Sequence, residues 1–204
     1  PQHLVIIILI LQVALGVPAL AEFRGLVDWP MLRQLAFGGA LMAPLGAWLL
    51  GHTDTQVLLS ILGSVVILSA SLLGFATELL KFRPSRVNNA VCGMMAGALS
   101  SSVGMPGPPV AIYFLGQPQL SSDKRRAMLI ITFSALASLS LIIAIPEGQV
   151  SQELLVLSAL FFPIVLLGGQ LGEAMRDRVN AAVSRRVSLA LVLLSGISCL
   201  VRAF

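Results

Sequence analysis

The sequence predicts an all-α integral membrane protein, a single polytopic transmembrane domain that covers residues 1–204. Hydrophobic residues make up 57% of the chain, charged residues only 11%, and the mean hydropathy is +0.95, whereas a soluble domain has about 25% charged residues. Apolar runs of about 20 residues, the length that crosses a bilayer core as a helix, recur along the chain. They are Leu4–Ala21, Met31–Gly51, Gln56–Leu80, Ala127–Ile145, Leu154–Gly172 and Val187–Phe204, with a broken run, Asn88–Pro118, in the middle.

Basic residues predict the orientation of these helices. The net charge is +4, but the basic residues lie in short loops between apolar runs, which is typical of helix orientation and not of nucleic-acid binding. If the broken run enters and leaves on one side, 12 Lys and Arg residues fall on one face of the membrane and 1 on the other; a single crossing gives 6 against 7. We therefore predict a re-entrant hairpin, with the basic loops on the cytoplasmic side of the cell (inner) membrane.

The broken run contains the segment 97–109, GALSSSVGMPGPP, which cannot continue a helix. Pro106, Pro108 and Pro109 have no backbone N–H, so the helix is expected to end near Val103. Non-helical backbone at membrane depth is tolerated only where it is buried in protein or lines a water-filled cavity. The break is therefore the predicted substrate site, near the middle of the membrane.

The predicted binding groups at the break are neutral. They are the backbone N–H groups of Gly104, Met105 and Gly107, which we expect to be free at the helix ends, and the hydroxyl of Ser100. The neighbouring serines, Ser101 and Ser102, are expected to pack and to bond carbonyls of their own helix.

Two further polar positions lie within apolar runs. Gln12 is in the middle of the first run, and Thr132 and Ser134 occupy nearly equivalent positions in its proposed repeat partner. A polar side chain at membrane depth needs a partner. Interhelical hydrogen bonding and lining of the substrate pathway both account for these residues, and the sequence leaves the choice open.

An internal repeat is weakly visible at a constant offset of 123 residues. It aligns Met31–Gly51 with Leu154–Gly172 and Leu4–Ala21 with Ala127–Ile145. Residues 1–80 are therefore read as the remainder of a first repeat and residues 88–204 as a second. With a re-entrant hairpin the two repeats are inverted, an arrangement that many secondary transporters use for alternating access. Each repeat is expected to contain a hairpin and three transmembrane helices, and the first hairpin is expected to precede Pro1.

The segment 97–109 resembles the sulfite exporter TauE/SafE family of anion permeases, whose second repeat has a pattern close to Gly-x-x-Ser-Gly-x-x-Gly-x-Gly-Gly-Pro-Pro. Ser101 and Pro106 stand where the family usually has glycine. The resemblance implies transport of small sulfur-containing anions such as sulfite or organosulfonates. The matching residues are Gly97, Ser100, Gly104, Gly107, Pro108 and Pro109.

Small residues at helical spacing occur in two of the apolar runs and predict tight helix–helix contacts. These residues are Gly38, Gly39, Gly46 and Ala47 in Met31–Gly51, and Gly168, Gly169 and Gly172 in Leu154–Gly172.

Other classes of protein are disfavoured. No intramembrane His or Asp, and no Gly-x-Ser-x-Gly or His-Glu-x-x-His motif, is present to support an enzyme. Cys92 and Cys199 both lie in apolar segments, and neither a disulfide framework nor a metal site is indicated. No cofactor is expected. A permease for another small anion and a non-transporting membrane scaffold remain as alternatives, and a homo-oligomer is left open.

Overall fold

The computed structural model describes residues 2–75, 82–146, 148–176, 187, 190, 193–194 and 196–201, and it is helical throughout its main segments. Within these residues four helices are long and apolar enough to cross a membrane: Gln2–Phe23, Trp29–His52, Ser122–Ala144 and Gln152–Gly172. The prediction of an all-α polytopic membrane protein is confirmed. The helices are α1 (Gln2–Phe23), α2 (Trp29–His52), α3 (Thr55–Phe75), α4 (Arg86–Val103), α5 (Gly107–Leu115), α6 (Ser122–Ala144) and α7 (Gln152–Arg176).

Three of these helices begin at side-chain caps that the sequence provides. The carboxylate of Asp28 accepts a hydrogen bond from the N–H of Met31 at the start of α2. The hydroxyls of Ser85 and Ser121 do the same at the starts of α4 and α6. Each cap satisfies one of the N–H groups that the first turn of a helix leaves unpaired, which fixes where the helix begins.

Among the described residues, helices α2 and α4 make the most extensive helix–helix contact, and glycines make their close approach possible. A Cβ atom added at Gly97 would lie 2.5 Å from both the Cα and the carbonyl oxygen of Gly39. Cβ atoms added at Gly38 and Gly93 would overlap the backbone carbonyls of Ala90 and Leu35. The predicted close packing through Gly38, Gly39 and the following small residues is therefore confirmed for α2.

The broken segment folds back on itself as an antiparallel pair of helices. The N–H of Phe82, before α4, donates to the carbonyl oxygen of Gly116, after α5, at 2.7 Å. Farther in, the Tyr113 hydroxyl of α5 donates to the side-chain oxygen of Asn89 of α4. Both ends of the segment therefore lie at the same end of the bundle, the geometry predicted for a hairpin.

Helix α6 starts at that same end. Lys124, in its first turn, forms an ion pair with Asp28 at 3.6 Å, and Arg126 lies 5.6 Å from the ring centroid of Phe23, at the end of α1. Farther along, a Cβ at Gly39 would overlap the side chain of Leu136. Helix α6 therefore runs antiparallel to α1 and parallel to α2.

The chain's last predicted span, Val187–Phe204, lies partly outside the described residues. Residues 196–201 are helical, and Gly196 and Leu200 pack near Gly63 of α3. The run Gln56–Leu80 is described as helix to Phe75, and its remainder also lies outside the described residues. The division into inverted repeats, 1–80 and 88–204, stays a prediction.

Candidate functional site

Helix α4 ends at Val103, as predicted, because the next residue adopts a left-handed conformation. Gly104 has φ +72° and ψ 14°, a region that glycine enters without the steric cost that a Cβ brings. Its N–H donates to the carbonyl oxygen of Ser100 at 3.0 Å, and the N–H of Met105 donates to that of Leu99 at 3.3 Å. The last turn of α4 is thus closed by the backbone of the break itself.

These bonds correct one part of the sequence-based site. The N–H groups of Gly104 and Met105 were expected to be free for a ligand, and in this conformation both are occupied by carbonyls of α4. The reason is that the last carbonyl groups of a helix have no partner further along the helix, and the N–H groups of the residues that follow satisfy them. Binding at these two residues stays a prediction, and it requires the turn to open.

Gln12 connects α1 to the break. Its side-chain Nε2 donates to the carbonyl oxygen of Gly104 at 3.1 Å, so this residue makes an interhelical hydrogen bond at the predicted site. Its side-chain oxygen is buried and has no hydrogen-bond partner within the described residues. The side chains of Val5 and Ile8, also on α1, come within 3.5–3.6 Å of the position that a Cβ of Gly104 would occupy. Gln12 thus presents one unsatisfied acceptor beside the broken backbone.

A cluster of three buried hydroxyls lies one turn before the break. The Ser140 Oγ of α6 is 3.0 Å from the Ser100 Oγ and 2.8 Å from the Ser101 Oγ. Ser100 is 0% exposed, Ser101 3% and Ser140 2%. Ser102 instead bonds the carbonyl of Ala98, four residues back in its own helix, as predicted. We refer to Ser100, Ser101 and Ser140 as the serine cluster; it joins α4 to α6.

The other two predicted residues on α6 have different surroundings. Thr132 is fully buried, and its hydroxyl has no partner within the described residues. Ser134 lines a cavity of about 310 Å³ that Val13 and Gly16 of α1 also line. A Cβ added at Gly16 would overlap the Ser134 side chain, so the glycine makes room for the hydroxyl.

Gly107 is the first residue of α5, and it does not need unusual backbone angles. Positive φ values occur among the described residues at Gly104 and Gly148 only. A Cβ at Gly107 would make an ordinary contact of 3.7 Å with the Phe133 ring. The neighbouring Met105 is 39% exposed. The structure therefore brings Gln12, Ser100 and Gly104 together and leaves Ser134 in a separate cavity.

A chain of polar side chains, not predicted from the sequence, joins the outer part of the hairpin to α2. The Asn89 side-chain amide donates to the Gln34 side-chain oxygen of α2 at 2.6 Å and accepts from the Tyr113 hydroxyl of α5. Asn89 and Tyr113 are each 4% exposed, and Gln117 nearby is 0% exposed. The available signal was Asn89 itself, an amide within a predicted helix, where a buried polar group needs partners.

The described residues bring no three His, Cys, Asp or Glu side chains together as ligands for a metal ion. The polar groups around the break are amides, hydroxyls and backbone groups. Such groups recognise a ligand through hydrogen bonds and dipoles, without a fixed charge.

Comparison with known proteins gives two matches. The family model described as Sulfite exporter TauE/SafE matches residues 1–199. A probable sulfite/organosulfonate exporter TauE of Cupriavidus necator is 24% identical over 180 residues, which cover 87% of this chain and 70% of that relative. No solved structure gives a significant match. Because the family model extends over nearly the whole chain, this protein belongs to the sulfite exporter TauE/SafE family.

Proposed function

We propose that this protein transports small sulfur-containing anions such as sulfite or organosulfonates across the cell membrane, around the break between α4 and α5. The observation that carries the proposal is the broken backbone at Gly104, enclosed by protein and contacted by the neutral amide of Gln12. Broken helices of this kind form substrate sites in secondary transporters. The family and the name of the Cupriavidus relative supply the substrate class.

The chemistry around the break suits an anion that must be released again. The serine cluster supplies hydroxyl donors one turn away, and the N-terminus of α5 directs its positive dipole end towards the break. Pro108 and Pro109 bring no N–H to the first turn of α5, so Gly107 is its first available backbone donor. Neutral donors of this kind bind an oxyanion without a fixed positive charge, which favours release.

We further propose that transport proceeds by alternating access and that the last turn of α4 participates. In the described conformation the N–H groups of Gly104 and Met105 are bonded within that turn. Opening the turn would free both donors towards a ligand and would cost two neutral hydrogen bonds, each worth about 1 kcal/mol net. A bound oxyanion replaces those acceptors, so substrate favours the open turn and its departure favours the closed one.

The basic end of the bundle is proposed to face the cytoplasm. Lys124, Arg126 and Arg86 all lie at the end where α4 and α6 begin, and basic loops face the cytoplasm in most membrane proteins. Single cysteines at Arg86 and at Lys124, in a background without Cys92 and Cys199, should both react with an impermeant thiol reagent from the cytoplasmic side alone. Reaction of the two cysteines from opposite sides would overturn both the orientation and the hairpin.

The function is tested by uptake of labelled sulfite into vesicles that contain the purified protein. Saturable uptake, stimulated by unlabelled sulfite on the opposite side, supports alternating access; linear uptake without counterflow contradicts it. A panel of unlabelled anions as competitors distinguishes sulfur anions from other small anions. No uptake of any anion by well-folded protein would leave the scaffold as the better interpretation.

Gly107→Val tests the position of the site. Since a Cβ there makes only an ordinary contact with Phe133, the variant should accumulate normally and should lose sulfite transport because bulk is added where the ligand approaches the helix end. Normal saturable transport by this variant would move the proposed site away from the start of α5, to the cavity between α1 and α6 that Ser134 lines.

A further inference from the structure

A groove between the first halves of α2 and α4 lies away from the break. It has a volume of about 640 Å³. Most of its wall is apolar, with Phe37 on α2 and Val91 and Met94 on α4. Phe37 is 64% exposed and Val91 48%. An apolar groove on the outer face of a membrane protein is open to lipid chains.

Two arginines lie at one end of this groove. Arg33 is in the first turns of α2 and Arg86 is the first residue of α4, and both side chains are exposed. Because α2 and α4 run parallel, both guanidinium groups are at the basic end of the bundle. The groove therefore has a cationic end and an apolar body.

Neither arginine is neutralised by the part of the chain that the structure describes. Within those residues no carboxylate lies within 4.0 Å of the Arg33 or Arg86 guanidinium group, and Asp28, at the same end, pairs with Lys124 at 3.6 Å. Arg33 donates from Nε to the carbonyl oxygen of Trp29 at 3.4 Å, a long and weak bond. The remaining N–H groups of both arginines are available to an anion.

We propose that this groove binds one anionic phospholipid from the leaflet at the basic end. The lipid phosphate lies between Arg33 and Arg86, and one acyl chain follows the wall formed by Phe37, Val91 and Met94. Arginine is well suited to phosphate because its planar group presents several donors in a fixed geometry. Basic pockets between transmembrane helices bind the head groups of anionic lipids for the same reason. The groove shares no residue with the break, so this proposal does not depend on the proposed transport.

The test measures lipid bound to the purified full chain by native mass spectrometry, after exchange into mixtures of phosphatidylglycerol and phosphatidylcholine with matched chains. The wild type should prefer phosphatidylglycerol by about tenfold or more, since each arginine near the head groups contributes about 1 kcal/mol. The double variant Arg33→Gln/Arg86→Gln should lose that preference. The control Arg24→Gln/Arg83→Gln removes two exposed charges outside the lining of this groove and should retain it within about twofold. Arg33→Lys/Arg86→Lys keeps the charge and should retain most of the preference.

Three results would overturn the proposal. Equal loss in both glutamine variants would show attraction by net charge alone, and retention in Arg33→Gln/Arg86→Gln would show that these arginines do not hold the lipid. Displacement of the bound lipid by glycerol phosphate at concentrations similar to those of the whole lipid would show a site for free anions, with no role for the acyl chain. Size-exclusion profiles of all variants establish that they are folded before the lipid measurement.

Discussion

The glycines between α2 and α4 and the glycines of α7 occur in similar sequence patterns, yet they have opposite surroundings. At Gly38, Gly93 and Gly97 an added Cβ would strike the backbone of the facing helix. At Gly168, Gly169 and Gly172 it would meet nothing within 4 Å among the described residues. The prediction of tight contacts is therefore confirmed for Met31–Gly51. It is wrong for Leu154–Gly172 within the part of the chain that the structure describes.

The difference shows that a pattern of small residues permits close approach without requiring it. Small residues lower the steric barrier between two helices, but a contact forms only where the fold brings a second helix to that face. Helix α4 packs against the glycine face of α2, whereas no described residue lies within 4 Å of a Cβ added at the α7 glycines. Gly104 is a third case, in which the backbone conformation and not a neighbour demands glycine.

The largest loss of stability is expected for Gly97→Val. The new side chain would meet the backbone of Gly39 at 2.5 Å, and a backbone cannot rotate away as a side chain can. Overpacking typically costs about 1–3 kcal/mol and occasionally more, and the fixed backbone places this site at the upper end of that range. Thermal unfolding in detergent and the yield of monodisperse protein should both fall sharply. A yield equal to that of the wild type would show that the α2–α4 contact is not needed for assembly.

A smaller loss of stability is expected for substitutions at Gly104, because they strain the backbone and do not overlap a neighbouring helix. Gly104→Ala should lower stability by about 1–2 kcal/mol, because an L residue resists the left-handed region, while its Cβ would meet Ile8 at an ordinary 3.5 Å. Gly104→Asn should cost less, since asparagine tolerates that region. Gly107→Ala is the matched control and should be nearly neutral. Equal losses for alanine and asparagine at Gly104 would point to packing and not to backbone strain.

Substitutions in the serine cluster are expected to lower the apparent affinity for sulfite moderately. Ser100→Ala removes one neutral hydrogen bond, which corresponds to about 1 kcal/mol or roughly a fivefold weaker apparent affinity for sulfite, without abolishing flux. Because Ser140 bonds Ser100, the double variant Ser100→Ala/Ser140→Ala should show less than the sum of the two single effects. Strict additivity, measured by concentration-dependent uptake, would show that the two hydroxyls act independently.

The smallest change in stability is expected for Gly169→Ala on α7. The glycine is exposed, and nothing described lies within 4 Å of an added Cβ. The free energy of unfolding should therefore change by no more than about 0.5 kcal/mol, as for typical surface substitutions, and the unfolding temperature and yield should stay close to those of the wild type. A marked loss would reveal a contact on this face of α7, such as one in a homo-oligomer, and a concentration-dependent mass in detergent would then identify it.

The class of protein, most helix positions and the end of α4 can be predicted from the order of residues alone. Long apolar runs select helices because backbone groups in lipid must be satisfied within the segment, and Gly104 with Pro106 stops the helix because neither residue continues it well. These effects are local, and local chemistry is readable from the order of residues.

Which groups at the break are free and which are paired depends on how the helices pack. The N–H groups of Gly104 and Met105 close the last turn of α4, the Gln12 amide reaches the break from α1, and Ser140 joins Ser100 from α6. The same holds for Asn89, whose partners Gln34 and Tyr113 come from two other helices. Hydrogen bonds between residues far apart in the chain depend on how helices pack, and packing depends on the shapes of whole helix faces, which no single stretch of sequence specifies.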